Sequence, residues 1–161
     1  MIAFADPAHP PSRKAPALWA VGASLAWIIP VAAQVVWMIF QPRPAWPHVV
    51  VAAVTAVLMI VHIGVVPLWR YRVHRWEISA QAVFTRTGWL VQQRRIAPTS
   101  RVQTVDTYRG PLDRLFGLAN VTVTTASSAG AVHIVALDAD VADEVVAQLT
   151  DIAALGGGDA T

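Results

Sequence analysis

The chain has 161 residues, 55% hydrophobic and only 14% charged, against about 25% charged in typical soluble domains; this length accommodates about one domain and an anchor. It has no cysteine, which excludes disulfides, thiolate metal sites and cysteine catalysis. The net charge of +2 hides an asymmetry: nine arginines stand against Glu77, Asp106 and Asp113 between Arg70 and Arg114, while Leu115 to Thr161 holds six acids and no Lys or Arg.

Residues 1–16 carry Pro7, Pro10, Pro11 and Pro16 and read as a disordered tail. Ala17 to Phe40 is then a 24-residue apolar run, about 36 Å as a helix and enough to cross a hydrocarbon core of about 30 Å. Val49 to Trp69 is a second run of 21 residues. The intervening QPRPAWPH has three prolines, which cannot continue a helix. Spans 17–40 and 49–69 therefore form a hairpin. Trp19, Trp37, Trp46 and Trp69 fall near span ends, where an indole finds both apolar contact and water. Trp27 falls mid-span and is expected to pack on the other helix. Arg13 and Lys14 precede the first span, Arg70, Arg72 and Arg75 follow the second, and the turn has only Arg43. The cation bias places both termini in the cytoplasm of a multi-pass plasma-membrane protein.

Gln34 and His62 are the polar groups that matter within the spans, and intramembrane polar groups are candidate partner contacts. Gln34 lies about 25 Å deep and His62 about 10 Å, by helical rise. They are not expected to bond to each other within one hairpin. The simpler reading has each bonded to a nearby carbonyl or helix.

Beyond Trp69 the pattern changes. Tyr71–Ser79 is rich in aromatic and β-branched residues and predicts a strand. Ala82–Thr87, Trp89–Ile96 and Val102–Tyr108 follow as strands, with a break at Gly88 and a new start after Pro98. Gly110-Pro111 opens a short helix, Leu112–Phe116, with Pro suited to the first helical position. Val121, Val123 and Thr125 alternate as a half-buried strand, the 127–130 segment turns, and Val132–Ala136 returns. Asp138–Leu155 is an amphipathic helix with Val141, Val145, Leu149 and Ile152 on one face and acids in its first turns. Gly156 to Gly158 ends it, and 156–161 is a flexible tail. The fold class is thus a membrane α-helical hairpin plus, over 70–155, a β-rich pleckstrin-homology-like barrel closed by a C-terminal amphipathic helix.

Several patches carry a family resemblance: RWEIS (Arg75–Ser79), Gly88, RRIAPTSRVQTV (Arg94–Val105) and GPLDRLFGLANVTVTTA (Gly110–Ala126). In this order and behind two spans, they make the chain resemble the bacterial membrane-flanked pleckstrin-homology-like family of the YdbS-like type. The tip from Thr125 to Gly130 is longer than the family's usual Thr-Ala-Gly. The resemblance implies a membrane address and no enzyme activity.

The residues agree with the last point. No nucleophile motif, metal-ligand spacing or phosphate-cradling loop is present, so no catalytic residue, metal or cofactor is expected, nor a nucleic-acid partner. The leading expectation is a scaffold that assembles a protein partner at the cytoplasmic face. By the resemblance, that partner is a larger membrane protein with related domains; a homo-oligomer also fits. The alternative is recognition of anionic phospholipid headgroups by a basic face of Arg70, Arg72, Arg75, Arg86, Arg94 and Arg95, each surface cation contributing about 1 kcal/mol.

Overall fold

A computed structural model describes residues 7–88, 90–126 and 130–158. Helix α1 (Ala15–Phe40) places Pro16 in its first turn, where a missing N–H costs nothing. It ends where Pro42 and Pro44 forbid continuation. The return rod comprises α2 (Trp46–Met59), a π-helical turn (Ile60–Val65) and α3 (Val66–Val73). Both rods, Ala15–Phe40 and Trp46–Val73, are long and apolar enough to cross a membrane. Pro67 explains the wider turn. It has no N–H, and its ring crowds the carbonyl four residues back, so the ladder changes register ahead of it: the N–H of Val66 reaches the Val61 carbonyl.

The domain follows without a linker. Strands β1 (Arg75–Ile78), β2 (Ala82–Thr87) and β3 (Gln93–Pro98) form one antiparallel sheet in that order. A 3₁₀ turn (Thr99–Arg101) leads to β4 (Val102–Tyr108), α4 (Pro111–Phe116), β5 (Leu118–Thr125) and β6 (Val132–Asp138). These three strands form a second sheet, ordered β4-β5-β6. Helix α5 (Ala139–Gly158) packs Ala142, Val145 and Leu149 into the core with Val121, Val123, Val132 and Ile134 of the second sheet and Val83 and Ala97 of the first. The pleckstrin-homology-like strands thus make two three-stranded sheets with hydrogen-bonded ladders of their own, where the sequence reading expected one barrel closed by the C-terminal helix.

A second cluster joins the domain to α1: Ala15 and Leu18 are buried against Leu118 and Ala136, with Trp19, Tyr71, Leu112 and Phe116 around them. The first turns of α1 thus belong to the domain's core. The expected disordered tail is corrected over residues 7–16. His9 and Trp76 exchange backbone hydrogen bonds (3.0 and 2.8 Å), and the Ser12 N–H donates to the Ala136 carbonyl (2.8 Å). Trp76 Nε1 donates to the Pro10 carbonyl (3.2 Å). Prolines suit such an edge segment, which needs few donors. Residues 1–6 and 159–161 lie outside the described residues.

Three boundaries also differ from the sequence reading. Tyr71–Val73 is helical, so β1 begins at Arg75. The third strand begins at Gln93; Trp89, its expected start, lies outside the described residues. Helix α5 runs through the glycines to Gly158.

Leu118 is fully buried between α1 and the sheet. Leu118→Ala is expected to destabilise the domain by about 3 kcal/mol, read as a lowered denaturation midpoint in detergent. Glu144→Ala, exposed on α5, is expected to leave the midpoint within about 0.5 kcal/mol of the parent.

Candidate functional site

The last carbonyls of a helix have no partner within it. At the end of α3 the capping residue His74 and the adjoining strands β1 and β2 supply them. His74 donates twice to the Arg70 carbonyl, from its N–H (2.8 Å) and from Nδ1 (2.8 Å), which carries the ring hydrogen because a carbonyl only accepts. Arg75 Nη1 donates to the carbonyls of Tyr71 (2.9 Å) and His74 (2.8 Å). Arg86 Nε, on β2, donates to the Val73 carbonyl (3.0 Å). Cations here also complement the negative end of the helix dipole.

The Arg70 guanidinium turns the other way, 4.3 Å above the Trp19 ring, a cation–π contact that ties α3 to α1. Trp19 also lies 5.3 Å from the His74 ring. His74 is 5% exposed. Burial lowers its pKa below the ordinary 6.5; its bond to the Arg70 carbonyl works against this, and the Arg70 charge adds to it.

Beside this junction lies a cavity of about 690 Å³ between the two rods and the end of β2. Leu58, His62, Val66, Arg70 and His74 recur along its wall at four-residue spacing, and Gly88 closes the domain end. From Leu58 to His74 is about 24 Å of helix. The wall is therefore graded, apolar at one end and cationic or polar at the other. Leu58 is 51% exposed, so the apolar end is open on the outside of the helix pair. Trp27 Nε1 donates to His62 Nδ1 (3.1 Å) along the same wall.

The six candidate arginines do not form one face. Strand register places Arg75, Arg86 and Arg94 in a single cross-strand row. Arg95 is on the opposite side of the sheet, beside Thr85 and Trp76, and donates to the Ala131 carbonyl (2.7 Å). Arg75 and Arg86 hold the helix end, Arg70 lines the cavity, and Arg72 and Arg94 are exposed. Of the two intramembrane candidates, His62 meets Trp27, and Gln34 Nε2 is covered without an acceptor among the described residues. Among the described residues no three His, Cys, Asp or Glu side chains converge as a metal site would require. Sequence reasoning missed His74 and the cavity. The available signal was the 58, 62, 66, 70, 74 spacing, which continues past the expected end of the span at Trp69.

The folded pKa of His74 lies below the unfolded value, so as pH falls the unfolded chain takes up the proton first. The stability His74 contributes is complete above about 6.5 and is lost as pH drops from there through the lowered folded value. His74→Gln keeps a donor for the Arg70 carbonyl and cannot titrate. It is expected to flatten the acid limb of the midpoint-against-pH curve, measured by thermal denaturation; a curve parallel to the parent's would show that His74 contributes nothing to it.

The bacterial PH domain family matches residues 20–153. The chain is 37% identical over 103 residues to the UPF0699 transmembrane protein YdbS of Bacillus subtilis (strain 168). The aligned stretch covers 63% of this chain and 63% of that relative, just under two thirds of each. No solved structure matches the chain.

Proposed function

This transmembrane chain belongs to the bacterial PH domain family, and from that premise we propose that it is a binding module that admits one anionic phospholipid into the cavity beside α3. The observation that carries the reading is the graded wall. Leu58 and Val66 suit an acyl chain, and Arg70, twelve and four residues further along the same face, suits a phosphate. A volume of about 690 Å³ lies within the usual range of about 300–1,000 Å³ for small-molecule sites; it takes a headgroup and the first part of an acyl chain, and the rest of the lipid leaves through the open apolar end at Leu58. The reading moves lipid recognition from the outer row of arginines, two of which are engaged with backbone carbonyls, to the cavity.

In this proposal both rods span the plasma membrane and both termini are cytoplasmic, because Arg13, Lys14, Arg70, Arg72 and Arg75 crowd one end of the hairpin and Arg43 alone marks the other. The lipid then enters from the inner leaflet, and no chemical step is assigned to the protein. A second reading, assembly of a membrane protein with related domains, is favoured by half-buried Gln34, whose covered amide nitrogen would gain an acceptor if a partner's helix repacked this face, since a donor without an acceptor in hydrocarbon is costly.

The test is native mass spectrometry of the full chain released from nanodiscs containing phosphatidylglycerol and phosphatidylcholine. The expected result is one retained phosphatidylglycerol, with retention reduced about tenfold by Arg70→Gln, as the loss of a charged hydrogen bond of about 1.5 kcal/mol implies. Arg94→Gln, outside the cavity, is expected to leave retention unchanged. Equal retention by the Arg70 variant, or none by the parent, overturns the lipid reading. Crosslinking in native membranes that captures one stoichiometric protein through a photoreactive residue beside Gln34 would favour assembly.

A further inference from the structure

We propose that the tip of the β2–β3 hairpin is a membrane-inserting element that carries Leu90 and Val91 into the leaflet nearest the domain. The proposal depends on the placement of the rods, and not on a lipid occupying the cavity.

The hydrocarbon boundary can be located from the rods. Ala15 and Leu18 are buried in the cluster that α1 shares with the domain, whereas Leu25, Ile28 and Ile29 are exposed. Gly22 to Phe40 is 19 residues, about 28 Å, and a hydrocarbon core needs about 30 Å. The core must therefore begin at about Gly22. A domain element already stands there: a Cβ placed on Gly22 would lie 3.9 Å from Leu112 Cδ1 on α4. On the return rod, Trp46 to Val66 is 21 residues, about 31 Å, which sets the boundary near Val66. Thr87 and Gly88 line the cavity together with Val66, Val61 and Leu58. Strand β2 runs back toward the rods, with Arg86 opposite Arg75 at the start of β1 and its Nε on the Val73 carbonyl, so the tip beyond Gly88 continues from the end of α3 toward the hydrocarbon boundary.

The tip has the chemistry for that position. Leu90 is 77% exposed and Val91 80%, values more typical of lysine than of branched apolar residues. Their turn is a shaped one. Gly88 has φ +114°, and a Cβ there would lie 2.0 Å from the Val91 carbonyl oxygen, so only glycine fits. Two rungs behind the tip, past Thr87 and Gln93, Arg86 stands opposite Arg94. An apolar tip backed by cations is the pattern of an element that lies in the interface, with side chains in the acyl region and positive charge at headgroup level. The occupant that continuity with the rods selects is the bilayer itself.

The natural chain has no cysteine, so single probes are easily placed. Leu90→Cys, Val91→Cys and, as a control on β4, Gln103→Cys, each in the full chain, are labelled with an environment-sensitive nitrobenzoxadiazole. They are reconstituted in vesicles of phosphatidylglycerol and phosphatidylcholine with or without lipids spin-labelled at a shallow acyl position. Blue-shifted emission quenched by the labelled lipid is expected at 90 and 91, and water-like, unquenched emission at 103. Water-like emission at both tip positions overturns the proposal. So does blue-shifted emission that the labelled lipid fails to quench, which would show the tip against protein.

Discussion

The structure depends on how the second long helix ends. A helix that leaves a bilayer exposes its final carbonyls, which need donors within a few ångströms. Here His74, Arg75 and Arg86 supply them, and the chain turns from α3 into β1 across one residue, His74, whose backbone is extended (φ −66°, ψ 124°). No flexible linker separates rod from sheet. Ala15 and Leu18 fix the first rod to the same domain through Leu118 and Ala136. With both rods held, the domain cannot tilt freely, and a cavity between rod and sheet keeps a defined shape.

That arrangement also explains the distribution of charge. Arg75, Arg86 and Arg94 stand side by side across three strands, where like charges repel. The carbonyl end of α3 offsets the repulsion for the first two, because the helix dipole presents negative potential where their guanidinium groups sit. Charges that a count of flanking residues assigns to membrane topology are thus also structural. Topology and capping select the same residue type at the same end of a span, so sequence position alone does not separate them.

Much of the fold was legible in the sequence. Two apolar runs without a charged residue predicted the rods. The strict alternation of Val121, Val123 and Thr125 gave β5, though its start at Leu118 was hidden because Leu118 and Ala119 are both buried. Asp138–Leu155 closely anticipated α5. Tyr71–Val73 was misread because aromatic and β-branched residues suit strands, whereas continuity with a membrane rod overrode that propensity. The proline-rich start looked disordered because composition does not register a segment that pairs through single residues such as His9. The candidate site was least legible: arginines close in sequence separate onto two sides of a sheet, and the cavity requires both rods and the hairpin to be placed first.

The cavity wall shows how a single proline reaches that site. In a regular α-helix, residues four apart advance about 40° beyond a full turn, so a ladder from Leu58 to His74 would wind well away from its starting direction. The π turn at Ile60–Val65 is wider and takes back part of that rotation. Leu58, His62, Val66, Arg70 and His74 consequently share one cavity. Pro67 forces the wider turn by withholding an N–H and crowding the carbonyl behind it. The irregularity that breaks the helical ladder therefore aligns the apolar and polar parts of the wall, and ties the geometry of the span to the chemistry at the domain's edge.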